Sequence, residues 1–411
     1  MADRSSNFGV MPSREAEIVR LKVILREAQS QQGNSPAKDA WRRLCRNKAA
    51  YSALMFLLTV MVTAFLTPLL PLQAPAQQRL KKESQYQPPT FRGGQLDLGM
   101  TWEELLTLEE NIASLKRQIR TTTNREAREV HENSIIAMER KHPIERNWPN
   151  VGPVAWQMIR VRLAIFKTWA IPSICGTDEL GRDLLSRMFW ALRVSLIVGL
   201  VATSVSLVIG VAYGATSAFF GGWTDRIMMR LVDVLYSVPF IFVVIYALTI
   251  FSAPQVKGTL EKVGIDRMTL FYVLIGAIFW LTMARVVRGQ VLSMKQEQFV
   301  DAARTMGASS FRIIFLHLVP NVLGVVVVYL TLTIPSVILF ESFLSFVGFG
   351  VQPPDVSLGL LVNEGVRVIT PIKIHWWLVF FPGLVLASTL LALNVLGDGL
   401  RDVLDPRLKN R

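Results

Sequence analysis

The sequence has little cysteine, little histidine, and almost no charge inside its long apolar runs. Its two cysteines, Cys45 and Cys175, provide no disulfide framework. The four histidines (His131, His142, His317, His375) fall in no i,i+4 pair and no metal-ligand spacing, so no metal site is predicted. There is no G-x-x-x-x-G-K-[ST] loop to cradle a nucleotide's phosphates and no G-x-S-x-G nucleophile elbow. No catalytic residues are predicted, and the chain reads as a non-catalytic subunit. Scarcity of ionisable groups in the spans also tells against a self-contained ion- or proton-coupled transporter, which needs them at membrane depth.

Apolar sequence is abundant. Of 411 residues, 51% are hydrophobic, and the formal charge is +13. Lys and Arg cluster beside the apolar runs instead of forming one stripe, which fits a membrane protein and not a nucleic-acid binder. Six runs approach the ~20 residues of a helical crossing: 49–72, 191–220, 232–252, 270–287, 319–340 and 376–396. Pro68 and Pro71 end the first run, and Pro239 and Pro335 are expected to kink helices. Arg42, Arg43, Arg46 and Lys48 precede the first run, and Arg401, Arg407, Lys409 and Arg411 follow the last, so both termini are expected in the cytoplasm. The first 40 residues are polar with no cleavable signal evident; residues 15–26 read as a short surface helix. Cys45 and Cys175 then fall on opposite sides of the membrane. The units are a cytoplasmic segment (1–48), a first crossing (49–72), an extracytoplasmic insert (73–188) and a core with five crossings (189–411).

Within the insert, Thr101 and Glu104 form a capping box. Leu105, Leu108, Ile112, Leu115 and Ile119 follow at spacings of three and four, a narrow coiled-coil seam. A second helical stretch runs from Arg125 to about Arg140, where His142-Pro143 stops it. The pattern predicts an antiparallel helical hairpin outside the membrane.

The most telling polar stretch is EQFVDAARTMGASSFRIIFLHLVPN, from Glu297 to Asn321, between two apolar runs. Ala302 and Ala303 keep one helix face thin, and Gly307 permits a sharp turn. Phe299, Met306 and Phe311 are placed to anchor the element or to fill a partner's cleft. Asp301-Ala302-Ala303-Arg304, then Gly307, Phe311, Leu318, Pro320 and Asn321, resemble the EAA loop of ABC-importer permeases, with Asp301 where that family usually has Glu. Four further stretches are similar to the C-type subunit of oligopeptide and dipeptide permeases: GTDELGRDLLSR (Gly176–Arg187), GGWTDRIMMRLVDVLYSVPF, ESFLSFVGFGVQPPDVSLGLLVNEG and LGDGLRDVLDPR. The alternating charges and leucines of Gly176–Arg187 predict an amphipathic interfacial helix. Gly199, Gly210 and Gly214 predict close helix packing, and Trp376 and Trp377 an interfacial anchor.

The resemblance implies an all-α membrane protein with six transmembrane helices in the type I ABC importer arrangement, in the bacterial cytoplasmic (inner) membrane. It implies half of a pathway for peptides or similar small solutes. The implied partners are a homologous second permease, two cytoplasmic ABC ATPases, an extracytoplasmic solute-binding protein and membrane lipid. This chain binds no cofactor; ATP and Mg belong to the ATPases. Glu341, with Ser342 and Ser345 beside it, is a candidate for the substrate path, set against an interfacial acid bonded within the bundle. Asp225, Arg226, Arg230 and Asp233 are expected to brace the coupling loop. Two alternatives stay open: a self-contained secondary transporter or channel, and a membrane-anchored scaffold with an external binding hairpin.

Overall fold

In the computed structural model the described residues are 36–404, except 92, 93, 122–124, 150, 252, 254, 255, 257, 259–266 and 372. The helix expected over 15–26 and the basic Arg407, Lys409 and Arg411 lie outside them. A short helix, α1 (Pro36–Arg46), leads to Asn47, whose side chain caps α2 (Lys48–Leu66) by accepting from the Ala50 N–H. α2 stops six residues short of the expected 72. Thr67, Pro68 and the two leucines before Pro71 form a turn, because each proline lacks the amide a further helical turn needs.

The insert follows as β1 (Gly94–Gln95), α3 (Trp102–Thr121), α4 (Arg125–Lys141), α5 (Pro143–Asn147), α6 (Pro153–Phe166) and β2 (Trp169–Ala170). The capping box forms: the Thr101 N–H donates to Glu104 at 2.8 Å and the Glu104 N–H donates to Thr101 Oγ1 at 3.3 Å. α3 and α4 make the hairpin, tied by Lys116 and Glu139 at 2.7 Å. The insert's second half is structured as well. Ile144, Trp148, Ile159 and Leu163 from α5 and α6 close a core with Leu96, Leu98 and Leu105. β1 and β2 pair antiparallel, Gly94 opposite Ala170. The insert is therefore a packed unit.

The remaining helices are α7 (Leu184–Phe220), α8 (Gly222–Ser237), α9 (Phe240–Phe251), α10 (Arg267–Met294), α11 (Gln298–Thr305), α12 (Ser310–Val347), α13 (Leu358–Arg367) and α14 (Trp377–Leu404). Among the described residues five helices (α2, α7, α10, α12, α14) are long and apolar enough to cross a membrane, and α8 with α9 makes up to six. The predicted third span, 232–252, is not one straight helix: α8 and α9 meet at 82°. Pro239 removes an amide and drives Val238 into extended backbone. α7 and α10 pack most closely of all. A Cβ on Gly214 would come within 2.3 Å of the Ala284 carbonyl oxygen, and one on Gly210 within 2.6 Å of Met283 Cβ, so the predicted glycine packing is present.

Residues 176–183 overturn the interfacial helix expected there. Asp178 Oδ1 accepts from the Leu180 and Arg182 amides, both at 2.9 Å, closing a turn, and Gly181 takes a φ of +68°. Asp183 then caps α7 by accepting from the Ser186 N–H at 2.8 Å. Trp377 is likewise no interfacial anchor: it is 7% exposed and packs with Cys175, Leu184 and Leu358, whereas Trp376 is exposed.

Candidate functional site

α11 is a two-turn helix whose faces have different neighbours. Val300 and Ala303 are buried with Ala215 and Phe219 of α7, Val291 of α10 and Ile313 of α12. Asp301, Ala302 and Arg304 face outward, and Asp301 pairs only loosely with Arg304, at 3.6 Å on the surface. Arg304 also lies over the Phe219 ring, 5.5 Å from its centroid. The two alanines therefore do not form one thin outer face. Ala303 allows close approach to the membrane helices, and Ala302 is its exposed neighbour. Gly307 ends the element at φ +80°, its amide bonded to the Arg304 carbonyl at 2.9 Å. Met306 and Phe311, 80% and 70% exposed, project beyond the turn, with Phe299 less exposed beside them.

The next turn explains Pro320. Its missing amide cannot serve an i−4 carbonyl, and the backbone from Ile313 to Leu318 widens into a π-helix just before it. The Val319 N–H reaches Ile314 O, and the Asn321 side chain donates to the His317 carbonyl at 2.7 Å. The collar beside the loop is built mainly from α10. Arg288 grips Asp225 through two contacts of 2.6 and 2.7 Å, and Arg285 meets Asp233 at 3.0 Å. Lys295 donates to the Ala218 carbonyl at 3.1 Å, covering the open end of α7. Asp225 and Asp233 thus find partners that sequence order did not suggest, in place of Arg226 and Arg230.

At the opposite end of α12, Glu341 lies within the helix, six residues before its last, not at its end. It is 0% exposed and accepts from Ser195 (3.0 Å), Ser342 (3.3 Å) and Ser345 (2.7 Å). Those hydroxyls satisfy the carboxyl inside the bundle, and no open surface reaches it in this conformation. Ser357, the N-cap of α13, also bonds to it, so the acid joins α7, α12 and α13.

A second buried polar node was missed in the sequence. Arg187 contacts Asp178 at 2.6 Å and Glu364 at 2.5 and 3.1 Å, and Arg182 adds a 2.6 Å bond to Asp178. The local signals were the alternating charges of Gly176–Arg187 and an acid, Glu364, on α13. In the insert, a cleft of about 630 Å³ lies between α3 and α6, lined by Glu109, His142, Trp156 and Arg160. Arg160 pairs with Glu109 at 2.7 Å. Burial lowers the His142 pKa below its ordinary value, with nearby Glu109 opposing the shift.

Comparison with known proteins fits this architecture. Residues 206–410 match the family described as "Binding-protein-dependent transport system inner membrane component". Residues 35–89 match the "N-terminal TM domain of oligopeptide transport permease C". The chain is 43% identical over 234 residues to the dipeptide transport system permease protein DppC of Bacillus subtilis (strain 168), covering 57% of this chain and 68% of that protein. It belongs to this permease family. The permease is also 47% identical over 232 residues to the oligopeptide transport system permease protein OppC of Escherichia coli (strain K12), covering 56% of this chain and 72% of that one. Among solved structures, a chain of the MetNI methionine ABC transporter in inward-facing conformations overlaps 53% of the permease and 96% of itself, at a TM-score of 0.42 and 18% identity. The permease is a multi-pass, non-catalytic transmembrane subunit of an ABC import system. Residues 90–205, which hold most of the insert, lie between the two matched regions.

Proposed function

We propose that this permease forms half of a pathway for di- and oligopeptides or similar small solutes, and that a separate ATPase moves it through α11. The supporting observation is the asymmetry of α11 and the turn after it: Val300 and Ala303 are packed against α7, α10 and α12, while Met306 and Phe311 are exposed, Phe311 with its ring 4.5 Å from that of Phe315. A push on the free side passes to three spans because the buried side is packed without slack. Asp301, Ala302, Arg304, Gly307 and Phe311 form the docking knuckle, and Pro320 sets the π-helical joint within α12 that connects it to the span. ATP and Mg act on two cytoplasmic ATPases, and this chain holds no cofactor. A homologous permease completes the pathway, and an extracytoplasmic binding protein delivers solute to the side carrying the insert. Both termini, α11 and the Arg288–Asp225 collar then face the cytoplasm of a bacterial inner membrane. ATP binding shifts the pathway by favouring one of its two access states. Glu341 acts at the outer end as a pin that holds α13 to α7 and α12, with Ser342 and Ser345 as its donors.

The test is Phe311→Glu with Met306→Glu in the full chain, co-expressed with its ATPase partners. Both side chains are exposed, so membrane insertion should be unchanged while ATPase co-purification and uptake fall at least tenfold. Unaltered ATPase association in that variant would remove the docking role.

A further inference from the structure

We infer that α6 of the insert lies on the bilayer surface and presents a lipid-binding face at the level where the first span ends. Around the helix, Ala155, Ile159, Arg162 and Leu163 are buried, covering the side toward the insert's core. On the flank between that side and the cleft, Val154, Val161 and Ile165 are 64%, 49% and 63% exposed. With the half-buried Met158 they recur at i, i+4, i+7 and i+11, one continuous stripe of a 3.6-residue helix. Trp169, 55% exposed, extends the stripe past the C-terminal end and packs against Phe166 with ring centroids 5.9 Å apart. Four aliphatic side chains ending in aromatic rings and the exposed Lys167 have the composition of an interfacial helix.

The height of the helix comes from its buried side. Arg162 donates to the Leu70 carbonyl at 3.2 Å and the Leu72 carbonyl at 2.6 Å. Those residues follow directly on the turn that ends α2, so α6 sits where the chain leaves the hydrocarbon. Its N-terminal end leads into an exposed surface of the bundle. Gly152 and Ala155 share a groove with Trp190, Arg193, Val194 and Ile197 of α7. Ile197 and Leu200 continue that surface, 42% and 61% exposed. Continuity with a span's exposed apolar side and the depth fixed by Arg162 together single out lipid as the occupant, ahead of water or a protein partner. The stretch matched by sequence to this role, Gly176–Arg187, is a turn over 176–183 and the first turn of α7 after it; α6 takes the role instead.

Nitroxide scanning of the full chain in phosphatidylcholine/phosphatidylglycerol nanodiscs tests this. In a Cys45→Ser, Cys175→Ala background, single labels are placed at Val154, Val161 and Ile165, with Gln157 and Glu110 on the cleft as references. Power saturation should show access to oxygen with little access to a water-soluble nickel chelate at the three stripe positions. The two references should show the reverse. Nickel access at the stripe would mean that the face is in water, and exclusion of both reagents there would mean that protein covers it. Either result overturns the assignment.

Discussion

Arg187 and Glu364 are joined by contacts of 2.5 and 3.1 Å across 177 residues of sequence. The arginine is fully buried in the first turn of α7, and the acid stands on α13 near the end of its apolar face. Removing one partner of a buried pair leaves the other charge uncompensated. Glu364→Gln should therefore lower stability by about 2 kcal/mol. That is below the usual cost of breaking a buried pair, because Glu364 keeps 28% of its side-chain surface exposed and Arg187 retains Asp178. The thermal midpoint of the detergent-purified chain measures it, and a midpoint equal to native would show that Asp178 alone suffices.

The two alanines of α11 should respond oppositely to the same enlargement. Ala303 is 2% exposed, so Ala303→Trp overpacks the junction of α7, α10 and α12 and should destabilise by about 1–3 kcal/mol. Ala302→Trp adds bulk on the outer face and should leave the melting transition in place while weakening ATPase association. Parallel thermal melts and co-purification distinguish the two. Equal melts for both variants would mean that the buried side of α11 is not the side described here.

The spans could be read in the sequence because hydrocarbon demands locally continuous apolarity, whatever the tertiary packing. The Thr101–Glu104 cap was equally local, since its partners lie three residues apart, and the seam from Leu105 to Ile119 showed in its own spacing. What escaped reading depended on distant partners. Ala302 and Ala303 are indistinguishable until α7 and α10 pack against only one of them. Asp178, Arg182 and Arg187 occur at helical spacing, but Glu364 draws two of them inward, and Asp183 caps α7 instead of lying on an amphipathic face. Trp148, Ile159 and Leu163 come from short elements whose common core includes Leu96 and Leu98, far earlier in the chain.

Asp183 should give stability a distinct pH dependence. Burial, the largest cause, lifts its carboxyl from 3.8 to about 7. The folded chain therefore retains a proton that the unfolded chain loses between those values. The stability this adds is full below about pH 4, declines as pH rises toward 7, and stays flat above. Asp183→Asn keeps an acceptor for the Ser186 N–H without titrating. Relative to native it should gain stability between pH 4 and 7, and hold that gain at pH 8. A difference that does not vary with pH would exclude ionisation of Asp183.

The two cysteines should differ sharply in reactivity. Cys45 is exposed on α1, whereas Cys175 is buried, and burial together with Asp183 pushes its thiol up to about 12. At pH 8 a maleimide should modify Cys45 within minutes and leave Cys175 unmodified until the chain unfolds. Mass spectrometry of the labelled peptides reads this directly, and native-state labelling at Cys175 would contradict its burial.

Arg162 is the strongest test of how the insert is held. Burial lowers its pKa to about 10, yet the side chain stays charged at neutral pH and donates to the Leu70 and Leu72 carbonyls just beyond α2. Its guanidinium also lies 5.5 Å from the Trp148 ring centroid, within the insert's core. Arg162→Met keeps the apolar stem but leaves the Leu70 and Leu72 carbonyls without these donors, at about 1–3 kcal/mol for each that stays dry. Arg162→Lys should recover little, because one ammonium cannot reproduce the fork that spans both oxygens. Hydrogen exchange on the full chain should then show faster opening of α6 in both variants, with α7 and α10 unchanged. If α6 amides exchange at the native rate in Arg162→Met, Ile159 and Leu163 hold the helix by packing alone, and the arginine only sets its depth.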